Sequence, residues 1–211
     1  VENGDWAISL ENPETTLTHY GGVPRIDADD GRFPDVVVRR NWHGDWGRFS
    51  SAALVRELRI GMAGIKDSAV GGAIGLACQH NLGGDNDLLW QLNFGNSLVR
   101  YLGLNAFNVG ALNADNRIEL TPQFGLYAAY RHRWSNQLHS SFGVSVAEAD
   151  NDTAIAGFDV PRSYQSGHVN LIWTPIQRMS VGAEYIWGRR EDESGAAGVL
   201  NRLQFSAKYL Y

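Results

Sequence analysis

The residues of this chain best placed to do chemistry are cations set at every second position among small polar side chains. Arg39, Arg56, Arg131, Arg133, Arg202 and Lys208 fall on the polar parity of alternating segments, with Glu11 and Glu184 as acidic members of the same set. Fixed positive charge on a wetted wall lowers the cost of admitting a carboxylate, and a guanidinium grips one bidentately. The set therefore implies selection of small anions by charge, with no covalent step. The competing reading is that these arginines pair with Glu11, Glu57 and Glu184, brace the wall and select nothing.

Other constellations carry less. His139 and Ser141 are two apart on one face, which is open to nucleophilic catalysis, but no third partner is evident. Asp27, Asp29 and Asp30, and again Asp150, Asn151 and Asp152, supply oxygen atoms without the spacing of a calcium loop. The 6 histidines are scattered and give no metal pattern. No catalytic residue, metal or cofactor is expected.

The elements that position the cations are strands. The last stretch, NRLQFSAKYLY, puts Leu203, Phe205, Ala207, Tyr209 and Tyr211 on one face and Arg202, Gln204, Ser206 and Lys208 on the other. That is a strand with one apolar and one polar surface. Ten segments read this way, among them Trp6 to Leu10, Pro34 to Trp42, Arg48 to Ile60, Val70 to Gln79 and Leu88 to Gly95. The sixth, from Ile118 to Arg133, contains Pro122 and is expected to bulge there. Short connections follow the second, fourth, sixth and eighth segments; longer ones follow the first, third, fifth, seventh and ninth. Short periplasmic turns and longer outer loops are the habit of bacterial outer-membrane β-barrels. An even count leaves both termini on the periplasmic side. Trp6, Trp42, Trp46, Trp134, Tyr209 and Tyr211 gather at that end and Trp187 lies towards the other, as an aromatic girdle would.

The expected fold is thus all-β, an antiparallel transmembrane β-barrel domain over residues 1–211, in the bacterial outer membrane. Its surroundings would be lipid and lipopolysaccharide. The aromatic ending at Tyr211 is the kind of signal that barrel assembly machinery reads. Arg56 and Glu57 are adjacent, so one must face outward; placing Arg56 inward turns Ala53 and Val55 to lipid. Cys78 is expected to face lipid as a small apolar residue. The apolar loop from Val99 to Gly110 could fold into the lumen, latch onto a neighbour or cap the barrel.

Composition agrees with this and excludes other classes. A net charge of −5 without a Lys/Arg-rich run argues against a nucleic-acid partner. The longest apolar run, Ala69 to Cys78, is far short of the about 20 residues a transmembrane helix needs. One cysteine rules out an intramolecular disulfide. The chain starts at Val1 without an initiator Met, so either a signal peptide has been removed or an N-terminal part lies outside it. The alternatives from other classes are a secreted carbohydrate-binding β-sandwich and an outer-membrane barrel hydrolase.

Four stretches carry a family resemblance: GDWAISLENPETTLT (Gly4 to Thr18), RFPDVVVRRNWHGDWGRFSSAALVRELRI (Arg32 to Ile60), RYLGLNAFNVG (Arg100 to Gly110) and NRLQFSAKYLY. They resemble the DcaP-like porins of the bacterial outer membrane, and essentially the whole chain is similar to the C-terminal part of that family. The resemblance implies a sixteen-stranded barrel, usually a homotrimer, preceded by a periplasmic coiled coil. It implies passage of small anionic solutes such as dicarboxylates and aromatic acids. The coiled coil, about six strands and the constriction-forming loop are expected to lie outside this chain.

Overall fold

A computed structural model describes residues 4–28, 30–62, 64–103 and 106–211, the Val23 side chain excepted. In chain order the strands are β1 (Trp6–Glu11), β2 (Thr15–His19), β3 (Gly22–Ala28), β4 (Asp35–Gly44), β5 (Gly47–Ile60), β6 (Asp67–Gly83) and β7 (Asn86–Gly95). A 3-10 turn, Val99–Tyr101, leads to β8 (Gly110–Leu112), β9 (Ile118–Leu120), β10 (Gln123–Ser135) and β11 (Leu138–Ala149). A short helix, α1 (Thr153–Ala156), precedes β12 (Pro161–Ile176), β13 (Met179–Asp192) and β14 (Ala197–Tyr209).

Ten of these form one antiparallel sheet in the order β1-β4-β5-β6-β7-β10-β11-β12-β13-β14. Within it, β4 to β7 and β10 to β14 each have at least 10 residues, enough to cross a bilayer core at a tilt. Among the described residues no helix is long and apolar enough to cross a membrane. The sheet is open: among the described residues β1 pairs only with β4, and β14 only with β13.

Cross-strand register sorts the faces. Outward rows read Ile8–Val38–Ala53–Ile74–Phe94–Phe124 and Leu88–Tyr130–Phe142–Val169–Tyr185–Leu203. Inward rows are small or polar, such as Ala7–Arg39–Ala52–Gly75–Asn93–Gly125–Ala147. Exposed Ile8, Val70, Ile74, Phe94, Val144 and Phe205 are what a lipid-facing surface requires, where soluble sheets would bury them. Two-residue turns join β4 to β5, β6 to β7, β10 to β11 and β12 to β13 at one end, the periplasmic one. At Gly84-Asp85 both residues have φ of 59°, the doubly left-handed turn that matches strand twist.

Several expectations are corrected in detail. Pro122 makes no bulge within one long strand: it separates β9, which leaves the large sheet, from β10, which joins it. Strand β12 starts as early as Pro161 and β13 runs on past Trp187 to Asp192, so the last outer connection is only 193–196 and not a long loop. Cys78 does face outward, but Phe49 and Trp90 flank it in register and leave it 4% exposed.

The two longest connections, 12–34 and 96–122, are not plain loops. They supply β2, β3, β8 and β9, which assemble as a second sheet in the order β3-β2-β8-β9. This small sheet lies against the inner face of the large one near its outer end. Leu17, Ala28, Val99, Val109, Leu112 and Ile118 pack there with Leu58 and Ile60 of β5, forming a two-layer apolar core. Helix α1 closes its side through Ala156 against Ala111, capped at its start by the Asp152 carboxylate on the Ala154 amide.

Candidate functional site

Below the small sheet, residues 97–103 and 106–107 lie on the concave face, the first stretch fastened at the β4 end and the second at β12. At the β4 end, Glu11, Asp35 and Arg56 occupy one inward row of β1, β4 and β5. Arg100 reaches this row: Nη2 lies 2.8 Å from Asp35 Oδ2 and 3.3 Å from Glu11 Oε2. The Tyr101 hydroxyl donates to Glu11 Oε2 at 2.8 Å. Burial pushes the Tyr101 phenol above its ordinary range, so it remains a neutral donor. Arg56 Nε sits 3.3 Å from Asp35 Oδ1, within ion-pair reach though not aligned as a hydrogen bond. Arg56 also donates to the Ser97 carbonyl at 3.3 Å and to that of Glu14. At the β12 end, Tyr164 Oη donates to the Ala106 carbonyl at 3.2 Å, and its ring packs edge-on to Phe107 at 5.3 Å.

Small residues on the wall make room for this crossing. A Cβ on Gly71 would collide with the Ser97 hydroxyl, and one on Gly125 with the Leu102 side chain. The inward alternation Gly71, Ala73, Gly75, Ala77 of β6 therefore reads as clearance for the segment. Beneath Tyr101 lies a cavity of about 480 Å³ whose lining includes Ser9, Glu11, Arg39, Ser50, Gln91 and Asn93.

The sequence-derived site residues divide into three groups. Arg39, Arg202 and Lys208 occupy inward positions and, among the described residues, have no hydrogen bond or ion pair from their side chains; Arg39 alone reaches the cavity. Arg131 and Arg133 are inward but engaged, with Asp87 and with Asp85 at 3.4 Å. Arg56 is inward but only 2% exposed, so it braces the wall under the crossing segment and does not line open water. The bracing carboxylates are mostly Asp35, Asp85 and Asp87, not those expected. Glu11 binds Arg100, Glu57 faces outward near the rim and accepts the Arg32 amide at 3.0 Å, and Glu184 lies 3.7 Å from His168.

Asp35, Arg100 and Tyr101 were not singled out from sequence. The available signal was an Arg-Tyr pair inside an otherwise apolar loop, together with Asp35 on the same parity as Arg39. The constriction-forming loop is expected outside this chain; within the chain, residues 97–103 and 106–107 fold inward.

The hydrolase pairing also moves. Ser141 donates its amide to Asn170 Oδ1 at 2.8 Å, while a Ser–His contact forms instead at Ser166 and His168, 3.0 Å apart. Ser145 Oγ lies 2.7 Å from Ser166 Oγ, so the string ties β11 to β12 side by side. Backbone amides around Ser166 belong to the strand ladder and do not converge as an oxyanion site would require. Of the acidic loops, Asp27 pairs with Arg25 at 2.7 Å and Asp30 accepts the Gly61 amide; Asp29 lies outside the described residues. Asn151 bonds Pro161 and Glu193. Among the described residues no group of three potential ligands is placed to hold a metal.

The architecture has a solved counterpart. The outer membrane channel DcaP of Acinetobacter baumannii superposes with a TM-score of 0.79 at 17% identity, over 98% of this chain and 58% of that one. The chain therefore spans less than two thirds of that channel's length. No curated protein sequence matches it. The family of DcaP outer membrane proteins matches residues 29–211. With strands long enough to cross a bilayer, an apolar outer face and an inward-folded segment, the chain belongs to the DcaP outer membrane protein family of the bacterial outer membrane.

Proposed function

We propose that the protein forms part of a passive diffusion pore that favours small anions, carboxylates among them, and carries out no reaction. The observation that carries this is Arg39. It lines the cavity under the crossing segment, and neighbouring cations Arg56 and Arg100 are spent on Asp35 and Glu11 while Arg39 is not. Arg48, also inward and without a side-chain bond among the described residues, lies four residues along β5 from the partner of Arg39, Ala52. That is about 13 Å nearer the periplasmic mouth at strand rise. The two make a stepped cationic path on one wall, and Arg202 and Lys208 add charge on β14.

Two open edges have no water to bond in lipid, so closure is proposed through further strands of a longer protein, assembled as a homotrimer. Insertion by the barrel assembly machinery, reading β14 through Tyr211, and contact with lipopolysaccharide belong to the same proposal. The test is a reversal potential across a planar bilayer under a salt gradient. Anion preference that falls or inverts in Arg39→Glu supports the reading; cation preference in the parent protein overturns it.

A further inference from the structure

We propose that Arg40, on the lipid-facing surface, holds the phosphate of a phospholipid headgroup in the periplasmic leaflet. Its parity is opposite to that of Arg39: it shares the outward row Trp6–Arg40–Ser51–Leu76 and shares its face with Trp42. Its guanidinium carbon lies 5.3 Å from the Trp6 ring centroid and 5.5 Å from that of Trp42. The cation thus lies over two indole rings, and among the described residues its donors make no hydrogen bond. Among the described residues it has no carboxylate partner. The nearby Asp5 is turned to Asn41 and His43, which belong to the inward set.

A cation on this face without a carboxylate partner among the described residues needs an explanation. At the bilayer midplane a lipid-facing Arg costs roughly 2–4 kcal/mol, and near the interface about 0–1. Arg40 is four residues from the end of β4 at Gly44, at the level of the aromatic girdle, where a long side chain reaches headgroup depth. The anion that depth supplies is a phosphodiester, and the planar fork of Arg matches two of its oxygens. The flanking indoles suit the junction of acyl chain and headgroup.

The full chain in detergent, titrated with phosphatidylglycerol and read by native mass spectrometry, tests this. The first bound lipid should weaken about tenfold in Arg40→Gln, in line with loss of charged hydrogen bonds. Arg40→Lys should fall between, since it keeps the charge without the fork. Arg117→Gln, an outer-loop charge control, should bind as the parent does. Equal binding by parent and Arg40→Gln overturns the proposal. So does displacement of the lipid by inorganic phosphate, which would make this a site for the free ion. A changed subunit count with unchanged lipid binding overturns it too, by making Arg40 a subunit contact. Heat-modifiable gel mobility reports folding, and Arg40→Lys decides the matter should Arg40→Gln not fold.

Discussion

Asp35 and Arg56 face each other across β4 and β5 with 0% and 2% of their surface exposed, and the same Asp35 carboxylate holds Arg100 at 2.8 Å. One buried carboxylate thus sits between a guanidinium of the wall and a guanidinium of the crossing segment. The large sheet and the crossing segment share this anchor, so a change at Asp35 acts on both at once.

Asp35→Asn leaves Arg56 charged and buried without its counter-ion. Breaking a buried pair from one side costs about 3–5 kcal/mol, whereas replacing both partners by apolar groups of similar volume is often neutral. Urea unfolding in detergent should therefore show a large loss for Asp35→Asn and a much smaller one for Asp35→Leu with Arg56→Met. Equal losses for the two would mean that packing, and not the uncompensated charge, dominates the site.

The far side of the same anchor controls the crossing segment. Arg100→Ala removes contacts to Asp35, Glu11 and the Asn12 carbonyl while leaving the Asp35–Arg56 pair in place. The segment then stays held by the Tyr101 hydroxyl on Glu11, by Arg56 on the Ser97 carbonyl, and at Ala106 and Phe107. Single-channel recordings should show higher or noisier unit conductance than the parent. An unchanged conductance would place the narrowest point elsewhere.

The ten strands of the large sheet were legible because each has one face towards lipid and one towards water, which writes a period of two into the sequence. Strand β2 has no such contrast. Thr15, Thr16, Leu17 and Thr18 are all buried, since the small sheet is covered on both sides, and Thr15-Thr16 reads as loop. The anchor was hidden for another reason. Asp35 and Arg100 are 65 residues apart, and nothing local marks an acid at a strand start as the partner of a loop arginine. Facing was readable wherever alternation held, as for Arg39 and Arg202. Whether an inward cation is free or paired was not, because that depends on which acids the register delivers: Asp87 opposite Arg131, none opposite Arg39.

The clearance on β6 makes a steric prediction. Gly71→Val places branched carbon where Ser97 sits, and overpacking of this kind costs typically about 1–3 kcal/mol. Adding Ser97→Gly removes the obstructing side chain and should recover part of that loss in the same unfolding assay. A Gly71→Val variant as stable as the parent would show that the segment has slack to move aside.

At the periplasmic end, the start of β1 is clipped to β4 by Asp5. Its carboxylate accepts from Asn41 Nδ2 at 2.8 Å and lies 3.1 Å from His43 Nε2, and its carbonyl takes the Asn41 amide at 2.9 Å. The hydrogen bond from Asn41, then that from His43, holds the carboxyl below its ordinary value. A depressed folded-state pKa contributes stability above the unfolded value of about 3.9, and that contribution is lost as pH falls through the folded value. Hydrogen exchange of the Trp6 to Ile8 amides should therefore rise as pH drops below about 4, after correction for the intrinsic rate, while the central strands stay protected. Asp5→Asn should flatten this pH response. A response that persists in Asp5→Asn would assign the acid sensitivity of this edge to another carboxylate.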